Sequence, residues 1–153
     1  MVPTEKASPH QEVSRMADYK ELAQRWFSEV MSEGKTEVID ELCAPDFVDH
    51  NPLPGTSPDL AGIKDFVAQI RAAFPDLQMT ADDLIVEGDR IAVRSTMRGT
   101  HEGDFMGIPA TGKRVEVSNF DFVRFENDQA AEHWGAIDSD AMMEQLGVAT
   151  PGS

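Results

Sequence analysis

The feature that most restricts how this chain can fold is a change of hydrophobic period at Pro75. Upstream of it, Leu22, Trp26, Phe27, Val30 and Met31 recur at helical spacing, and so do Leu60, Ile63, Phe66, Val67, Ile70 and Phe74, with Lys64 and Arg71 opposite. Residues so spaced lie on one stripe of a helix. Downstream the period falls to two, through Leu77 and Met79, Leu84 to Glu87, Ile91 to Met97, Val115 to Glu126, and Ala130 to Asp138. Alternation of that kind belongs to strands with one buried face. Helices first and four antiparallel strands afterwards predict a segregated α+β fold, in which the helices cover one face of a strongly curved sheet. Such a sheet leaves a concave interior, a natural site for a small ligand.

The spacing predicts a first helix over Met16 to Met31, with Gly34 just past its end. Thr36 is read as the N-cap of a short second helix carrying Val38, Ile39 and Leu42 and stopped by Pro45; a third helix runs from Asp59 to Phe74. The turn EGDR joins the first strand pair, and Asn127 with Asp128, a polar pair suited to positive φ, joins the second. Ala141 to Leu146 forms a closing helix. Residues 1–15 show prolines without periodicity and read as a flexible tail, as do residues 148–153. One domain over residues 16–147 remains, a size that a single core organises.

Charge narrows the partners. Thirteen basic against 28 acidic residues give a net charge of −15, which repels phosphate backbones and anionic lipid surfaces, so neither nucleic acid nor membrane is expected. The opening MVPTEKASPHQEVSR holds no apolar run that would serve as a signal core, and no 18-residue apolar run occurs, which predicts a cytoplasmic protein. Cys43 is the single cysteine, so neither an intrachain disulfide nor a cysteine zinc site is expected. His10, His50, His101 and His133 lie in separate segments without HxH or HExxH spacing, and no metal is predicted.

Strand parity selects the candidate site. Val117, Asn119, Asp121, Val123 and Phe125 share one face, and Asp121 interrupts that apolar row. A buried carboxylate must be paired, hydrogen-bonded or neutral: Asp121 is either a structural partner of Arg94, Arg98 or Arg124, or a group that transfers protons. On the next strand His133, Gly135 and Ile137 share a face, and the hairpin brings His133 near the level of Asp121. A facing Asp–His pair is useful chemistry, because the carboxylate fixes the imidazole tautomer and the imidazole exchanges a proton near neutral pH. The alternative is a core histidine held by one hydrogen bond. Trp134 is expected to pack under a helix at the pocket wall, and Asp138 or Asp140 to cap the last helix. His50 and Asn51, ahead of Pro52, either reach over the cavity mouth or form an Asx-Pro turn. His101 and Asn119 complete the pocket candidates.

The strings FVDHNPLPG, RAAFPDL, IVEGDRIAVRSTMRGTHEGDFMGIPATGKRV and EHW…D…MMEQLG occur in an order that resembles the SnoaL-like polyketide cyclases, from about Asp18 to Gly147. The resemblance implies an NTF2-like cone, a homodimer formed through the sheet, and a pocket for polycyclic or other hydrophobic substrates. It also implies an enzyme that needs no cofactor and closes a polyketide ring by intramolecular aldol condensation, an acidic side chain taking a proton from the carbon next to a carbonyl. Aligning the EHW and QLG strings puts the family's catalytic aspartate at Gly135 and a pocket histidine of the cyclases at Asp121. Two explanations follow. Either proton transfer has moved to Asp121 with His133, or this member does something else: non-catalytic binding, an accessory role in polyketide hydroxylation, or epoxide hydrolase or isomerase chemistry. Gly135 also enlarges the pocket locally.

Overall fold

Ser8 starts the first helix through a reciprocal cap: its hydroxyl accepts from the Gln11 N–H at 3.2 Å, and the Gln11 side chain accepts from the Ser8 N–H at 2.9 Å. In the computed structural model, which describes residues 8–148, helix α1 therefore runs over Pro9–Arg25, well ahead of the apolar stripe. Pro9, with φ already set, suits the first helical position. The expected tail is thus helical from residue 9; its exposed side chains leave no stripe to read. Residues 1–7 and 149–153, the rest of the expected tails, lie outside the described residues.

The helix continues into wider turns over Trp26–Ser32. There the Glu33 N–H donates to the Ser28 carbonyl at 3.0 Å, and the Ser32 hydroxyl to the Phe27 carbonyl at 2.8 Å. Arg71 donates to the Met31 and Ser32 carbonyls at 2.6 and 3.0 Å, closing an end that would otherwise leave acceptors bare. Gly34 has φ +75, and a Cβ there would lie 2.6 Å from Arg71 Nε, so both backbone and space require glycine. A 3₁₀ turn over Thr36–Val38 leads to the short α2, Ile39–Leu42. Thr36 does not cap it: Lys35 stands at that position and no side chain caps the turn.

The chain then enters a strand that periodicity did not predict, β1 (Cys43–Asp49), so Pro45 lies inside a strand and does not stop a helix. An edge strand tolerates proline, because a missing N–H costs no ladder bond on its open side. Helix α3 (Leu60–Ala73) begins at Asp59, whose carboxylate accepts from the Gly62 N–H at 3.0 Å. The strands β2 (Gln78–Glu87), β3 (Arg90–Thr100), β4 (Arg114–Glu126) and β5 (Gln129–Ile137) follow, and then α4 (Ser139–Leu146). Asn127 and Asp128, at φ 51 and 60, make the β4–β5 turn as the sequence predicts.

The sheet order is β1-β5-β4-β3-β2, with β1 parallel to β5 and the rest antiparallel. The expected set of four antiparallel strands becomes a mixed, curved five-stranded sheet with the helices on its concave face. Val93, Met97, Val117 and Phe125 of the sheet bury against Phe27, Val30, Ile63, Val67 and Ile70 of the helices. Each such side chain contributes about 1.5–3 kcal/mol of transfer free energy. Among the described residues no helix is long and apolar enough to cross a membrane.

Candidate active site

Between helices and sheet lies a cavity of about 240 Å³, walled by apolar side chains that include Leu22, Trp26, Phe66, Ile70, Met97 and Phe105. Its polar side is built by parity: Asn119, Asp121, Val123 and Phe125 of β4 reach it, as do His133, Gly135 and Ile137 of β5. In the ladder Asp121 faces Gly135 and Val123 faces His133, so His133 is diagonal to Asp121. The imidazole crosses the space above Gly135 and brings Nε2 to 2.7 Å from Asp121 Oδ1. A Cβ at residue 135 would lie 2.7 Å from that Oδ1 and 2.8 Å from His133 Nε2. Glycine at 135 is therefore the condition for the Asp121–His133 contact.

Strand β1 adds the residue that the sequence reading missed. Asp49, only 7% exposed, pairs with His133 in the parallel ladder, and its Oδ1 lies 2.9 Å from His133 Nδ1. Ionised carboxylates only accept, so an imidazolium donating from both nitrogens satisfies the chain Asp49–His133–Asp121. Burial alone would lower the His133 pKa, but the hydrogen bonds to Asp121 and Asp49 and their charges outweigh it and carry the pKa from 6.5 to about 9. Burial pushes Asp49 upward; the bond and charge of His133, with the Asn51 N–H, hold it below the usual carboxylate range. Asn119 Nδ2 donates to Asp121 Oδ2 at 2.7 Å. Asn51 closes the ring, its N–H donating to Asp49 Oδ1 at 3.0 Å and its Oδ1 accepting from the Gly135 N–H at 3.1 Å.

These shifts fix a stability profile. A His pKa raised by folding contributes stability that is complete below 6.5 and lost as pH rises through about 9. The lowered Asp49 contributes stability present above the ordinary carboxylate range and lost as pH falls below it. Urea unfolding is expected to show a loss on the order of 2–3 kcal/mol between neutral pH and pH 10, and a much smaller loss in His133→Gln.

Three expected pocket residues lie elsewhere. Trp134 alternates with His133 and Gly135 and so faces the outer side of the sheet, where its ring stacks on His50 at 4.5 Å and 4° and the Arg90 guanidinium sits 5.8 Å away. Neither Trp134 nor His50 lines the cavity, and Trp134 packs under no helix. His101 is fully buried outside the cavity wall: its Nδ1 accepts from the Thr111 N–H at 3.2 Å, and its backbone bonds to Gly112 and Lys113 pin the connection between β3 and β4. Asp138 caps α4 as expected, accepting from the Ala141 N–H at 3.1 Å. The arginines offered as partners of Asp121 are engaged elsewhere: Arg94 with Asp83, Arg98 with Glu116, Arg124 with Glu132. Among the described residues no three His, Cys, Asp or Glu side chains are arranged to hold a metal ion.

A family model for SnoaL-like polyketide cyclases matches residues 21–146. Among solved structures, IdmH from Streptomyces antibioticus, described as a candidate polyketide cyclase, is 34% identical over 86% of this chain and 99% of its own, with a TM-score of 0.73. AclR from Streptomyces galilaeus, described as a candidate hydroxylase, is 30% identical over 86% and 97%, with a TM-score of 0.74. TsrD from Streptomyces laurentii is 29% identical over 87% and 97%, with a TM-score of 0.80. No protein with curated annotation matches.

Proposed function

This chain belongs to the SnoaL-like polyketide cyclase family, and on that premise we propose that its cavity binds a small hydrophobic, polyketide-like carbonyl compound and transfers a proton on it without a cofactor. Intramolecular aldol closure is the reaction this reading favours. The observation that carries it is the 2.7 Å contact between His133 Nε2 and Asp121 Oδ1 at the polar side of an apolar cavity. Asp121 is the base. Each of its oxygens has one lone pair engaged, by His133 and by Asn119, and one left for a substrate proton. Carboxylates suit carbon acids flanked by two carbonyls, whose enolates are stabilised by delocalisation within the substrate. His133, with both nitrogens occupied, holds Asp121 in place and offsets its charge.

A second reading, binding without turnover, is favoured by Gly135, which leaves no acid where the resemblance puts the family's catalytic aspartate. Purified protein incubated with a panel of enolisable polyketide-type esters and epoxides separates the two. Ring closure, seen as a product of unchanged mass or of mass reduced by one water, supports the first; tight binding with no conversion supports the second. The pocket also discriminates by charge. Asp49 and Asp121 against one imidazolium leave one negative charge, and among the described residues no Lys or Arg lines the cavity. A ligand carboxylate about 5 Å away would meet repulsion of roughly 1–3 kcal/mol. Calorimetry should therefore find methyl esters binding about 10- to 100-fold more tightly than the corresponding free acids. Exposed Phe120 and Phe122 with Trp134 on the outer sheet face support a homodimer with its interface on that face.

A further inference from the structure

We propose that Asp49 is a positioning residue, which acts through His133 to present Asp121 as a single, fixed carboxylate to the ligand. The inference rests on the reading that Asp121 is the reacting group. Three observations carry it. Asp49 comes from β1, on the opposite side of β5 from Asp121, so the two carboxylates grip the imidazole from both flanking strands. The backbone is tied at the same point, since the His50 N–H donates to the His133 carbonyl at 2.9 Å and the Asn51 N–H donates to Asp49 Oδ1 at 3.0 Å. Finally, Asp49 is buried, and among the described residues His133 is the one cation in salt-bridge contact with its carboxylate, so its charge acts chiefly on that ring.

The consequence is a division of labour. Without Asp49 the imidazole would be free to rotate about its side-chain bonds and to stand neutral, and a neutral ring could turn an acceptor nitrogen toward Asp121. With Asp49, Nδ1–H is committed on one side and Nε2–H is presented on the other. The groups that bear charge on His133 are Asp121 from β4 and Asp49 from β1. Asn119 and Asn51 are neutral, and α1, its wider-turn continuation and α3 offer apolar side chains such as Leu22, Trp26 and Phe66 to the cavity.

Nitrogen-15 NMR of the His133 ring reads this directly and needs no substrate. In the wild-type protein both ring nitrogens should carry protons throughout neutral pH. Asp49→Asn keeps an oxygen that accepts from Nδ1–H but removes the charge, and the His133 titration midpoint should fall by at least about one pH unit. A wild-type ring with one bare nitrogen at neutral pH would overturn the proposal, and so would an unchanged midpoint in Asp49→Asn. If Asp49→Asn does not fold, the wild-type spectrum alone decides by the same criterion. Loss of turnover in Asp121→Asn tests the underlying reading separately, so failure of one is distinguishable from failure of the other.

Discussion

Gly135→Ala is expected to break the Asp121–His133 contact and to lower turnover by about 100-fold, because a displacement of about 1 Å is enough to misplace a proton acceptor. The added methyl would sit 2.7 Å from Asp121 Oδ1 and 2.8 Å from His133 Nε2 and Cε1. Neither side chain can simply swing away: Asn119 holds the far oxygen of Asp121, and Asp49 holds the far nitrogen of His133. Overpacking of this kind costs on the order of 1–3 kcal/mol of stability, and Gly135→Val should cost more on both counts. Steady-state kinetics with urea unfolding checks the prediction; wild-type turnover in Gly135→Ala would show that the pair is not needed. The same geometry gives a physical reason for the glycine. An acid at residue 135, where the resemblance puts the family's catalytic aspartate, and a contact between residues 121 and 133 compete for one volume. A chain that has the contact must give up that side chain.

How far the sequence disclosed the site depends on how local each signal is. Period two along Val117 to Phe125 and along His133 to Ile137 put Asp121, Asn119, His133 and Gly135 on the concave face, because side-chain direction in a strand is a matter of parity alone. The same rule, applied to Trp134, sends it outward, so the expected place at the pocket wall conflicts with the strand's own parity. Asp49 was hidden because β1 is short, carries Pro45, and pairs with β5 across a separation of more than eighty residues, which no local pattern records. Its one trace is the alternation of Phe47 and Asp49 in FVDHNP, too short to mark a strand. The early start of α1 was legible in Ser8-Pro9-His10-Gln11, a capping signature that outranks the absence of an apolar stripe. His101 shows the limit from the other side: a histidine next to pocket residues in sequence turned out to serve the backbone of its own loop.

Asp121→Asn should lower the rate of the proton-transfer step by about 10²- to 10⁴-fold, the range that a positioned general base supplies. Asparagine matches aspartate in size, and its oxygen can still accept from His133 Nε2–H, so the fold and the apolar cavity are expected to survive. What is lost is the acceptor for a proton. Ring closure is a composite readout, since it also depends on how the substrate folds within the cavity. Exchange of the substrate's α-proton isolates the step assigned to Asp121. The most direct test is therefore proton NMR of an enolisable polyketide-type ester in D₂O, bound to wild-type protein or to Asp121→Asn under conditions of equal occupancy. Rapid loss of the α-proton signal with wild-type protein, and loss at the uncatalysed rate with the variant, is the predicted result. Equal exchange rates in the two proteins, at either the fast or the uncatalysed value, would contradict the assignment of Asp121 as the base.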